Sequence, residues 1–532
     1  MAERLVAYGG KGVSVRQLGG DRAGEIRITR FLHNPKVTLG EMMSVALART
    51  CAQVAGRHVL AIQDTSALRV DEKGVGLSFH PVIAVDANQG TVLGLVDNFF
   101  LTRQGGERAS RKQRDFTEKD SRRWLDGAER ASALADDGVA CVTVVEDREG
   151  DVYECFAFKP AKVEKLVRAA QDRCLADGTL LFSKADAWDE AGRMVVELPA
   201  APGRKARSAE LSVKFGTVEI VRPTNRKASC GLPKTIAVTL VIGREINPPD
   251  GEEPAQWFLL TTHRVKDIAD ARRIIGFYRL RWTIEQLFRT MKTKGFDVEA
   301  LRQEQDGPLE KLVTAILIAA VKVMQLVDER EGKAKRPLSD VFDPADQPAL
   351  ERVCRSLEGK TAKQKIPHPP VSLAYAAWVF ARLGGWAGYY GKLGPSSCSE
   401  ASPNSMPSNM AGASETRESC SPQGESRAPP SDINCLNGKN EVPKQLEPQT
   451  GRRHFLVTRK CCGIGAPWNP AQLREGWAMP DFIFQSNIAH YKALLATETD
   501  ARKIAMLHKL LEEEERKLTD WQAKNPRPKA AE

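Results

Sequence analysis

The sequence predicts an α/β fold, and three observations carry that reading. Two short apolar runs, at residues 57–64 and 139–147, each end in an acid. A β-patterned span fills residues 180–262. An amphipathic helical stretch follows at 267–294, with a dry back and a charged front.

In chain order, residues 1–56 read as helical, with a Pro-broken centre and helical spacing after Thr38. RHVLAIQD (57–64) is a short apolar strand ending in Asp64. Residues 75–101 hold two strand-like runs around the turn Asn88-Gln89-Gly90. Residues 118–136 read as a helix, and VACVTVVED (139–147) as a buried strand ending in Asp147. Residues 161–176 read as a helix. Three strand-like runs, LSVKFGTVEIVRP, TIAVTLVIG and QWFLLTTH, make up the β-rich span. Beyond the 267–294 helix, 308–330 is a strongly apolar helix and 372–383 a shorter one. From about Gly394 the chain turns Ser/Pro/Asn/Glu-rich and nearly free of large apolar residues, so it cannot offset ordering entropy and is expected to be disordered. Residues 499–522 read as a charged amphipathic helix.

The chain has 532 residues, 42% hydrophobic and 27% charged, enough for several domains and a large core. A net charge of +10 suits an anionic partner such as DNA, though proteins that bind no anion also carry such charges. No run is long and apolar enough to span a membrane, and MAERLVAYGGKG has no apolar signal-peptide core. The expectation is a cytoplasmic, nucleoid-associated protein with its 11 cysteines reduced. No C-x-x-C pair occurs, so the spacing predicts no zinc site, and Cys141 reads as plain core.

The most informative stretch is FYRLRWTIEQLFRTMKTKGFD. At about 100° per residue, Tyr278, Arg281, Glu285 and Lys292 project within a wedge of roughly 60°. Phe277, Leu280, Ile284, Leu287, Phe288 and Met291 fall opposite, and Trp282, beside the front, is expected in the core, with contact to DNA as its alternative. A carboxylate to hold a divalent cation, with cations and a phenol to grip phosphate oxygens, is what a metal-bound phosphodiester needs. The residues alone are equally read as a solvated face with an i,i+4 ion pair. Acids at strand ends are equally read as turn residues. Two such strands followed by a helix carrying Glu285 also suit a three-carboxylate site for two Mg²⁺ ions.

The pattern Y-x2-R-x3-E-x6-K resembles the signature of the IS-four-type transposases of bacterial insertion sequences, the group of the Tn-five transposase. QDTSAL (63–68) is similar to the segment around that group's first catalytic Asp, and VEDREGDVYE (145–154) to the segment around its second. EKDSRRWLDG (118–127) resembles a helix between them. The resemblance runs from roughly residue 14 to 393.

It implies an RNase H-like mixed-sheet core interrupted by a β insertion at about 180–262. Asp64, Asp147 and Glu285 would then be the DDE triad on two Mg²⁺ ions, with Mn²⁺ able to substitute. Tyr278, Arg281 and Lys292 would bind phosphates near the cleaved bond, and Arg168, in LVRAAQDR, would lie near the hairpin phosphates. Trp257 would stack on a flipped base. Left open by the residues themselves are a solvated helix arginine for Arg168 and a core strand-edge role for Trp257. The flanking basic residues Arg264, Lys266, Arg272, Arg273, Arg279, Arg289 and Lys294 would add a salt-dependent hold on DNA.

The implied function is a DNA transposase of an insertion sequence. It would cut element ends by metal-dependent hydrolysis and transesterification through a hairpin, then join them to target DNA as a homodimer. A decayed DNA-binding inhibitor and a structure-specific nuclease remain alternatives. The stretch before Asp64 is shorter than that group's, so 1–56 is expected to be a truncated DNA-end-binding helical region. The catalytic domain is expected at 57–393, a low-complexity linker at 394–470 and a helical extension at 471–532. The tail from 479 resembles a small uncharacterised protein of soil and root-nodule bacteria, as in a fused or frameshifted element.

Overall fold

The computed structural model describes residues 14–386, apart from 71–75, 104–115, 117–118, 199–205, 225–230, 293–295, 302–305 and 385, together with isolated positions between 488 and 519. The chain divides into two compact units, Met1–Gly412 and Ala413–Glu532. The described positions of the second unit are all helical, and Lys492 pairs there with Glu515 at 3.1 Å. The expected linker, 394–470, lies outside the described residues.

In the first unit the helices of ten or more residues are α1 (Arg22–His33), α2 (Leu39–Cys51), α3 (Arg122–Ala131), α4 (Ile268–Leu280), α5 (Trp282–Met291), α6 (Asp306–Glu329), α7 (Gln347–Leu357) and α8 (Leu373–Leu383). The strands are β1 (His58–Gln63), β2 (Ser66–Val70), β3 (Gly76–Asp86), β4 (Val92–Arg103), β5 (Cys141–Glu146), β6 (Val163–Arg168), β7 (Gly192–Leu198), β8 (Arg207–Val221), β9 (Thr235–Glu245) and β10 (Gln256–Thr261). Helix α2 begins where the sequence supplies a capping box: Thr38 accepts from the Glu41 amide while Glu41 reaches back to the Thr38 amide. No helix among the described residues is long and apolar enough to cross a membrane.

All ten strands join one mixed sheet, ordered β2-β3-β1-β5-β6-β10-β9-β8-β7, with β4 also on β3. The path β4-β3-β1-β5-β6 is compatible with an RNase H-like core: β1 pairs antiparallel with β3 and parallel with β5, and β5 runs parallel to β6. Strand β1 is covered on both faces, which is why its sequence reads as an unbroken apolar run. Leu60 and Ile62 join the large core shared with α4, α5 and α6, whereas Val59 and Ala61 pack with Ala128 and Ala131 of α3 on the other side.

Two sequence expectations are corrected. Residues 161–176 do not form a helix, because Val163–Arg168 is strand β6, held between β5 and β10. Val163, Leu166 and Val167 are buried there, and Lys165 pairs across the sheet with Glu146 of β5. The strands of the β-rich span continue the central sheet, because β10 pairs with β6. The 267–294 helix is two helices that meet at Arg281, where i→i+3 bonds (Arg281 N to Tyr278 O, Ile284 N to Arg281 O, both 3.1 Å) tighten the turn.

Candidate active site

Side chains alternate along a strand, so parity decides which face an acid joins. Asp64 follows the parity of Leu60 and Ile62, and Asp147 that of Val145, all three of them in the core that α4 and α5 cover. Ile62 pairs with Val145, so Asp64 and Asp147 leave neighbouring parallel strands side by side on that face. Glu285 sits in the first turn of α5.

Two of these acids, Asp64 and Glu285, are joined by Arg281. Its Nη1 donates to Asp64 Oδ2 at 2.9 Å and lies 3.6 Å from Glu285 Oε1. Asp64 is mostly buried, and burial first, then the charge of Asp147, raises its carboxyl from 3.8 to about 7. Glu285 pushes the same way, and Arg281 and the Thr65 amide, 2.7 Å from Asp64 Oδ1, pull back. Asp147 accepts from the Glu149 amide at 2.8 Å, capping a short 3₁₀ turn.

The other expected residues fall into two groups. Tyr278, Arg168 and Trp257 gather next to Arg281. The Arg281 guanidinium carbon lies 6.0 Å from the Tyr278 ring centroid, Trp257 meets that ring edge-on at 6.3 Å, and Arg168 is in hydrogen-bonding reach of the Tyr278 hydroxyl. Burial raises the Tyr278 phenol and lowers Arg168, and each partly offsets the other. Arg168 ends β6, not a helix, and also donates to Gln256 O at 2.9 Å. Lys292 stands apart at the C-terminal end of α5, paired with Glu299 at 2.7 Å.

The helix face is less open than its wheel implies. Tyr278 is 5% exposed and Arg281 8%, while Trp282, expected in the core, is 51% exposed. Tyr278, near the C-terminal end of α4, packs into the same core as its apolar neighbours. Arg281 Nε is buried without a hydrogen-bond partner among the described residues, so the guanidinium keeps an unused donor.

Beneath the acids, on the α3 face, runs a polar network that sequence reasoning missed. Lys165 pairs with Glu146, Gln63 donates to Glu146 at 2.7 Å and to Trp124 O at 2.9 Å, and His80 Nε2 lies 3.0 Å from Gln63 Oε1. Gln63, His80 and Glu146 have no exposed surface. Each of Gln63 and Glu146 directly precedes an acid, so the network fixes the strand ends from below. Its signal in the sequence was a polar residue closing each of two apolar strands.

Residues 69–322, just under half of the chain, match the family model of the transposase DDE domain. That match supports transposase function, a nuclease and strand-transfer class that acts on DNA with divalent metal ions. It takes in Asp147 and Glu285 and begins five residues after Asp64.

Proposed function

We propose that this protein is the transposase of an IS-four-type insertion sequence, with Asp64, Asp147 and Glu285 as its metal-binding acids. The observation that carries the reading is the bridge from Arg281 to Asp64 and Glu285, beside Asp147 on the neighbouring strand.

The donor set fits a hard divalent cation. It is all carboxylate oxygen, and the Asp64 carboxyl, raised first by burial and then by the charge of Asp147, would be offset by a cation. Asp64, Asp147 and Glu285 would hold two Mg²⁺ ions, or Mn²⁺ in their place. When bound, such ions activate an attacking water or 3′-hydroxyl and stabilise the leaving oxygen. Arg281, with an unused Nε donor, offers a planar fork to a phosphate oxygen. Tyr278 and Arg168 extend that donor surface. Lys292 would exchange Glu299 for a phosphate as a point charge. Trp257, half-buried beside Tyr278, would offer its outer face to a flipped base. The reaction is first-strand nicking at an element end, hairpin formation by the freed 3′-hydroxyl, and joining to target DNA, performed by a homodimer on double-stranded DNA.

The test is purified protein with labelled element-end DNA and Mg²⁺. Nicking followed by a hairpin product supports the transposase. Binding without cleavage would favour a DNA-binding inhibitor instead, and cutting of any branched DNA would favour a structure-specific nuclease.

A further inference from the structure

At the opposite end of the elements that carry the acids, three softer ligands meet. His58 opens β1, Cys141 opens β5, and His263 lies two residues past β10 on the way into α4. One ligand atom from each lies within 4.8 Å of the others, the one such group of three His, Cys, Asp or Glu among the described residues. Thr143 Oγ1 sits between the rings, 2.8 Å from His58 Nε2 and 2.7 Å from His263 Nε2. All three ligands are partly open to solvent, which leaves an ion a way in. Phe277 of α4 packs on the His58 ring at 4.7 Å and restricts its orientation.

The surroundings favour neutral imidazoles, the form that binds metals. Burial holds His58 down to about 4, with His263 and Arg273 adding to the effect, and burial also lowers His263. Burial, and then the charge of Glu164, raise the Cys141 thiol, so a bound ion must displace its proton, while the same Glu164 charge lies near His263 and favours a cation there. Arg273 opposes a cation, and its guanidinium is paired with Asp270 at 3.0 Å. Asp86 and Lys159 act weakly and with opposite signs, Asp86 on His58 and Lys159 on His263.

We infer that His58, Cys141 and His263 form a site for a zinc-class divalent ion, separate from the acid cluster. Two imidazoles and a thiolate suit Zn²⁺ or Co²⁺ and not Mg²⁺. Metal–nitrogen bonds of about 2.0–2.1 Å and a metal–sulfur bond of about 2.3 Å place tetrahedral ligands roughly 3.3–3.6 Å apart, so from separations within 4.8 Å the side chains need close by no more than about 1.5 Å. The thiol passes its proton to solvent as the ion binds, and water fills the fourth position. Such an ion ties the base of the strand leading to Asp64, the base of the strand leading to Asp147, and the connection into the helices that carry Glu285. It braces the three elements whose far ends must converge. Sequence spacing could not announce it, because the ligands come from three distant segments without a C-x-x-C pair.

The test is Co²⁺ titration of the full-length protein, read by the thiolate-to-cobalt charge-transfer absorption. The expected result is about one thiolate-bound Co²⁺ per chain, displaced by Zn²⁺ and retained in Asp64→Asn, since ions on carboxylates give no such band. Cys141→Ser should abolish the band. His58→Ala and His263→Ala should each weaken Zn²⁺ binding more than about 10-fold, the scale seen for losing even an outer partner. In an Asp64→Asn background, which weakens the acid cluster, Zn²⁺ should raise the melting temperature, and adding Cys141→Ser should remove that rise. No band at stoichiometric Co²⁺, or a band unchanged in Cys141→Ser, overturns the site and leaves a Thr143-centred hydrogen-bond cluster. If Cys141→Ser does not fold, the two histidine variants decide: Zn²⁺ affinity unchanged in both has the same consequence.

Discussion

Arg281 Nη1 donates to Asp64 Oδ2 at 2.9 Å, joining residues 217 positions apart in the sequence. The same nitrogen faces Glu285 at 3.6 Å, so one guanidinium holds together an acid at the end of β1 and an acid in the first turn of α5. In this arrangement it supplies the positive charge that a bound cation would otherwise supply, and Asp64 is still raised to about 7.

Glu285→Ala is expected to abolish metal-dependent DNA cleavage while leaving DNA binding within a few-fold. Binding spreads over many phosphate contacts, whereas cleavage depends on the acids. Binding and cleavage assays on one preparation check this, and equal loss of both would make Glu285 a folding residue.

Asp64 gives stability a pH dependence. Its carboxyl titrates near 7 when folded and near 3.8 when unfolded, so between those values the folded state holds the extra proton. Stability therefore falls as pH rises through that window, and above about 7 the loss is complete. In chelator, Asp64→Asn should raise the melting temperature above pH 7, by an amount worth a few kcal/mol at most, and change little near pH 4. Equal shifts at both ends of the range would sink the assignment. By the same linkage, metal-dependent nicking should increase with pH through about 7.

Lys165 and Glu146 form a buried pair beneath the acids. Lys165→Met leaves an uncompensated carboxylate and should cost about 3–5 kcal/mol, measured by denaturant unfolding. Adding Glu146→Leu should recover much of that loss, because both charges are then gone. Additive losses would mean that packing, not charge pairing, explains the first effect.

Trp257→Ala should slow hairpin formation while sparing the first nick, which needs no flipped base. The ring is half-buried beside Tyr278, so the stability cost should fall below the roughly 3–5 kcal/mol of a fully buried aromatic. Nick rate, hairpin rate and melting temperature measured on this variant decide the matter. A lost nick with a large melting shift ends the base-flipping idea.

Much of the fold was legible in the chain. The acid-ended runs at Asp64 and Asp147 read as strands because a strand covered on both faces must be apolar at nearly every position. The hairpin around Gly90 was legible because the turn needs a residue at φ 70°, which glycine adopts freely. The amphipathic α4–α5 stretch was legible because its apolar spacing matches one helix face.

The rest depended on partners that local pattern does not encode. Residues 163–168 carry spacing that suits a helix as well as a strand, and pairing with β5 and β10 decided it. Lys165 tolerates that buried strand because Glu146 meets it across the sheet. By itself the sequence determined which residues are acids, cations and phenols, and which local elements carry them. Only the tertiary structure decided that Arg281 bridges Asp64 and Glu285, that Tyr278 is buried while Trp282 is exposed, and that His58, Cys141 and His263 come together. The physical reason is that local periodicity fixes the face a side chain takes on its own element, while long-range strand pairing and helix packing fix what that face meets.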